Sequence, residues 1–144
     1  MAFTGNFMCT SFKVELMTAT HNFTNSTGNT FNIAMYDNSA SFTAATTAYT
    51  ATNEVSGVAY VAKGNALVNV TPTSTSTTAF TDFGDSTWSS STITARGAMI
   101  FNDTASGDPS VVILDFGSDK SSSSGDFTIV FPTGDSTSAI IRIA

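Results

Sequence analysis

Phe31-Asn32-Ile33-Ala34-Met35-Tyr36 decides how this chain is read, because Phe31, Ile33 and Met35 place a large apolar side chain at every second position. Successive side chains of an extended strand point to opposite faces, so the stretch predicts a half-buried strand. Working outward, further strands are predicted at Val58–Ala62, Ala66–Val70, Thr78–Phe83, Thr92–Phe101, Val111–Phe116, Phe127–Phe131 and Ala139–Ile143, divided by clusters of Gly, Asn, Asp and Ser. Toward the N-terminus the period changes. Met8, Phe12, Leu16 and Ala19 fall three or four apart, the spacing of one helix face, and Thr10 or Ser11 is placed to cap it.

Eight short strands with turn signals between them and one helix near Ser11–Ala19 predict a mainly β protein. The expected architecture is an antiparallel β-sandwich or jelly roll, one domain over residues 1–144 with an N-terminal arm. Lys63-Gly64-Asn65 is expected to close a hairpin between two of the strands. Thr71–Thr78, with Pro72, has the composition of a linker, and Ser89–Ser91 and Ser121–Ser124 read as loop tips. Phe80–Asp85 resembles Ile113–Ser118, which suggests a pair of related hairpins, each strand ending in a buried Phe followed by a turn-forming Gly.

Composition narrows the function. Charged residues make up 11% of the chain, against about 25% in ordinary domains, and Ser with Thr account for roughly a third of it. The net charge of −6 and the scattering of Lys13, Lys63, Arg96, Lys120 and Arg142 oppose contact with phosphate backbones or anionic membranes. Nucleic acid and membrane are therefore not expected partners. The stretch from Met1 to Phe7 has neither the basic region nor the apolar run of a secretory signal, which predicts synthesis in a cytoplasm. Cys9, the single cysteine, is expected to be a small buried hydrophobe.

No catalytic constellation appears. Asp-Phe-Gly occurs twice, at Asp82 and Asp115, without the Gly-rich and catalytic loops that give it meaning in kinases. His21 is the only histidine and no Gly-x-Ser-x-Gly or phosphate-loop motif accompanies it, so a structural or surface histidine at the end of the helix is expected there. Asp82, Asp85, Asp103, Asp108, Asp119, Asp126 and Asp135 lack the regular spacing of a calcium loop and read as turn formers. No enzyme activity, metal or cofactor is expected.

Several stretches together carry a family likeness: Phe12-Lys13 with Glu15-Leu16, His21-Asn22-Phe23, Thr52–Gly57, Trp88, Thr92–Ala98, Leu114–Gly117, Gly125–Ile129 and Ile140–Ile143. In these the chain resembles small virion structural proteins of tailed bacteriophages, some of which serve as capsid cement or decoration subunits. The resemblance implies a β-sandwich or jelly-roll subunit, often a homotrimer, on the capsid exterior. There it would bind the major capsid protein and brace the head, and no catalytic residues carry over. Scarce charge and twelve Phe suit broad contacts between subunits.

Two groups are expected to make those contacts. Ala2, Phe3, Thr4, Gly5, Asn6 and Phe7 form an apolar arm suited to a neighbour, or else an edge strand of their own domain. Trp88 is a core or interface anchor. The competing reading is a carbohydrate-binding or adhesion module of a phage tail or fibre, with Trp88 and the tyrosines as sugar platforms.

Overall fold

The computed structural model describes residues 3–144, so the predicted arm residue Ala2 lies outside the described residues. Ten strands and one helix follow in the order β1 (Phe7–Met8), α1 (Thr10–Met17), β2 (Phe31–Tyr36), β3 (Asn65–Ala66), β4 (Asn69–Thr75), β5 (Thr78–Phe83), β6 (Ser86–Ser91), β7 (Thr94–Asn102), β8 (Ser110–Ser121), β9 (Gly125–Ile129) and β10 (Ile141–Ile143). Every strand pairing is antiparallel. One sheet has the order β1-β8-β7-β2-β3, a second β10-β5-β4, and a two-stranded ribbon joins β6 to β9. Phe31 of the large sheet meets Phe83 of β5 at 5.8 Å, and Phe116 meets Phe127 of the ribbon at 6.3 Å. The two smaller sheets thus form the second layer of a sandwich.

β2 is more enclosed than its alternation predicts. Apart from Asn32, each of its residues is buried. Residues of opposite parity face opposite sides of a strand, and both sides are covered: Phe31 stacks on Phe23 at 4.3 Å, while Tyr36 meets the edge of Phe42 at 4.7 Å. The cover over Tyr36 comes from the long irregular excursion between β2 and β3. Tyr36 donates its hydroxyl to the Thr50 carbonyl there, which satisfies the one polar atom the side chain takes inside.

That excursion overturns one predicted strand. Val58–Ala62 is a loop, with Val58 and Val61 exposed and only Tyr60 turned inward, where it donates to Glu54. Lys63 and Gly64 do take left-handed backbone conformations, φ 72° and 66°, but they turn the loop into β3 and close no hairpin. Gly64 is required at that point because a Cβ would collide with the Ile33 carbonyl. The predicted strand at Ala66–Val70 divides into β3 and the start of β4. Thr71–Thr78 is no linker: it builds the β4–β5 hairpin, turned at Ser76 with φ 55°.

Ser86–Ser91, half of it read as a loop tip, is strand β6, since small hydroxyl residues around Trp88 disguise the alternation. The two Asp-Phe-Gly segments also differ. The first ends β5 at buried Phe83, as predicted, whereas β8 runs on through Phe116 and Gly117 to Ser121. They are not related hairpins.

The helix is shorter than its apolar spacing suggests. Cys9 occupies the N-cap and no side chain caps the end, so neither Thr10 nor Ser11 has the predicted role. Its C-terminus is closed by backbone bonds from Ala19 to the Leu16 carbonyl and from Thr20 to the Glu15 carbonyl, with Ala19 at φ 58°. This is the Schellman arrangement, made here with Ala at the left-handed position. It returns the chain so that His21 faces Glu15.

Candidate functional site

The arm residues lie on their own domain. Phe3 is 1% exposed, edge-on to Phe42 at 5.7 Å, and occupies space that a side chain at Gly97 would fill. Thr4 is exposed, Gly5 half-buried, and Asn6 accepts the Asp115 amide on its Oδ1 at 2.7 Å. Phe7 pairs with Ile113 as part of edge strand β1. Of the two readings of this segment, the described residues follow the edge strand. Trp88 is 3% exposed, stacked on Tyr60 and edge-on to Phe127, so it anchors the chain's own interior and has no face for a neighbour or a sugar.

An open groove of about 850 Å³ lies between β1 and β8 on one side and β9 with the segment leading to β10 on the other. Phe7, Met8, Leu114, Phe116, Phe127 and Ile140 supply its apolar part, and polar groups make up nearly as much of its surface. β1 covers only the Val112 and Ile113 positions of the twelve-residue strand β8, and β9 pairs with β6 alone. Both walls are therefore strand edges. Lys120, Ser121 and Asp126, beside the turn from β8 to β9, supply polarity at one end. Val130 stands 72% exposed along the groove. No sequence signal marked it, since it is made by strand edges remote in the chain.

Two polar hubs tie the loops to the sheet. Glu54 accepts hydroxyls from Tyr49 at 2.6 Å and Tyr60 at 2.7 Å and the Lys63 amide at 2.7 Å. Burial, then the Glu54 bond and its charge, push the Tyr49 hydroxyl up to about 12. Lys63 reaches Asp103 at 2.7 Å and Asp108 at 2.9 Å, and these bonds hold its ammonium above the usual lysine range. The second hub is Asn102. Its Oδ1 accepts the Thr104 and Ala105 amides, so its Nδ2 must donate to Asn29 Oδ1 and His21 Nδ1, each at 3.0 Å. His21 consequently carries its proton on Nε2 and donates to Glu15 at 2.7 Å. Of the structural and surface readings of His21 the geometry shows the structural one, and buried Cys9 is as expected.

The aspartates hold turns. Asp135 accepts from the Thr137 hydroxyl and from the Thr137 and Ser138 amides, which lower its carboxyl below the usual range. Burial pushes Asp115 up, but the Gly117 amide and the Arg96 guanidinium at 3.1 Å outweigh it and bring the carboxyl down. Asp82 differs. Burial dominates over the Phe83 and Ile140 amides and raises its carboxyl above 3.8, the Ile140 amide standing too far off to close a full bond on Oδ2. A raised native pKa means that the folded state holds this proton more tightly than the unfolded one, so the Asp82 contribution to stability falls as pH rises from 3.8 through the native value. Asp82→Asn is expected to melt higher than the parent at pH 7, the advantage shrinking as pH approaches 3.8. Paired melting curves at the two pH values check this; an equal gap at both removes Asp82 as the cause.

Compared with known proteins, the chain matches no protein-family model, no curated protein and no solved structure.

Proposed function

We propose that this chain is a structural subunit of a tailed-phage virion. In this reading it is a cement or decoration protein on the capsid exterior, which self-associates as a homotrimer, binds the major capsid protein and stabilises the head. One observation carries most of the weight: large apolar side chains stand on the surface. Met17, Val58, Val61, Val68 and Val130 are each more than half exposed on a body with few charges. Surfaces low in charge with apolar side chains suit the centre of protein contacts. Loops tied by hydrogen bonds to a β-sandwich would give such a subunit the rigid base that bracing a shell demands.

The sugar-binding alternative needs exposed aromatic faces. Trp88 and Tyr36 are enclosed, and the hydroxyls of Tyr49 and Tyr60 are committed to Glu54. The deciding experiment is co-sedimentation of the purified protein with phage capsids that lack it. Saturable attachment, together with greater resistance of the capsids to heat, is the expected result. Protein that stays in the supernatant with every capsid but is retained by host polysaccharide would transfer the assignment to a tail adhesin.

A further inference from the structure

We infer that residues 132–140, the strap between β9 and β10, form a pH-sensitive catch over Asp82: the strap lies closed while that carboxyl holds its proton and lifts when it ionises. The device goes beyond the cement reading and does not depend on it.

The seat of the strap is dry. Asp82, near the end of β5, is 2% exposed; its Oδ1 accepts the Phe83 amide at 2.8 Å, while its Oδ2 has neither a partner nor contact with solvent. Gly134 closes the seat from above. A Cβ there would stand 3.3 Å from the Asp82 Cβ and 3.6 Å from Oδ2, which leaves no room for a water between strap and carboxyl. An ionised oxygen held without hydrogen bond or water is far costlier to bury than a protonated one, so ionisation favours a strap that has lifted and let water in.

Charge acts in the same direction. Asp85, from the turn after β5, and Asp135, from the strap itself, face Asp82, and both repel a further negative charge. Arg142 of β10 is the cation beside the strap, but it donates to the Ser136 carbonyl at 3.4 Å and pairs with no carboxylate among the described residues. Burial, the largest cause, together with these charges outweighs the Phe83 and Ile140 amides and raises the carboxyl above 3.8.

The strap is built to move as one piece. Its ends are pinned, by Asp85 accepting the Phe131 amide at 2.9 Å and by Ile141 pairing with Thr81. Between them, the Arg142 contact apart, its hydrogen bonds are internal: Asp135 accepts the Thr137 hydroxyl and the Thr137 and Ser138 amides, and donates its own amide to the Thr133 carbonyl. Ala139 is its one buried residue, so little apolar contact resists lifting. Pro132 and Ile140 belong to the groove wall, so a lifted strap also moves that wall.

A closed strap that holds the Asp82 proton more tightly than the open one is most secure in acid and loosens as pH rises from 3.8 through the native value. Asp135 works the other way, since its lowered carboxyl braces the strap above 3.8 and releases it only as pH falls below that. Between pH 4 and 7 Asp135 therefore keeps its bonds while Asp82 loses its proton.

Hydrogen exchange of the full chain at pH 4 and pH 7, corrected at each amide for the intrinsic rate, tests the catch. Residues 133–140 are expected to lose protection by roughly tenfold or more between the two, while β10 at Ile141–Ile143 keeps its own. Asp82→Asn, which stays neutral, should hold the strap protected at both pH values. Equal protection of the parent at pH 4 and pH 7 overturns the inference, and so does a loss that Asp82→Asn shares. A loss that spreads equally to β10 and the large sheet is opening of the whole domain and overturns it as well.

Discussion

Asn102→Leu is expected to lower stability by roughly 3–5 kcal/mol, because each buried polar group left without a partner costs about 1–3 kcal/mol. The asparagine sits at the end of β7 with no exposed surface and uses both lone-pair directions and both amide protons. Leucine matches its size but abandons the Thr104 and Ala105 amides and the Nδ1 of His21. Asn29 still accepts the Asn22 amide at 2.8 Å, so its loss is smaller. Helix α1 should loosen as well, since Glu15 holds it to the ring that Asn102 positions. Chemical denaturation gives the cost, and hydrogen exchange in α1 separates local from global opening. A cost below about 1 kcal/mol would mean that the hub is not what orders this end of the sandwich.

Much of the fold can be read from the sequence where apolar side chains alternate cleanly. Thr78–Phe83 coincides with β5, and the strands around Met99, Ile113 and Phe127 lie within a few residues of their predicted places. The failures share a cause. Val58–Ala62 alternates as a strand should, yet its alternate residue Tyr60 turns inward to serve Glu54, while the valines face outward and only Val58 makes a single bridge, to Thr92. Ser86–Ser91 is a strand whose Ser and Thr residues carry turn propensity, overridden by pairing with β9 and by the burial of Trp88. Local pattern reports which side chains want burial, and tertiary pairing decides which of them obtain it.

The candidate site was less legible still. A groove between strand edges depends on where β1 stops and on β9 lacking a second neighbour, neither of which any residue announces. Asn102 and Glu54 are single polar residues in unremarkable stretches, and the partners that make them hubs are up to 81 positions away in the case of Asn102 and His21. Gly97 gives a hint only in retrospect. A glycine inside an apolar strand marks a close approach, but nothing in the sequence says that Phe3 is what approaches.

That approach leads to the second large effect. As a removable arm on a neighbour, Ala2–Phe7 would be dispensable for folding, and the structure predicts the opposite. The Phe3 ring packs over Gly97 and against Phe42, so Phe3→Ala removes a fully buried aromatic side chain, at about 3–5 kcal/mol. Deleting residues 2–7 adds the loss of half of β1 and of the Asn6 bond to the Asp115 amide, and bares more of the β8 edge. With about 2–4 °C lost per kcal/mol in a domain near this size, melting should fall by roughly 10 °C or more in the deletion. Gly97→Ala should be harmful with Phe3 in place. It should stay harmful in the Phe3→Ala background, since the new Cβ also meets the Leu114 carbonyl. Thermal melts of the four variants beside the parent check the set. A deletion that melts within a degree or two of the parent would free the segment to lie on a neighbour after all.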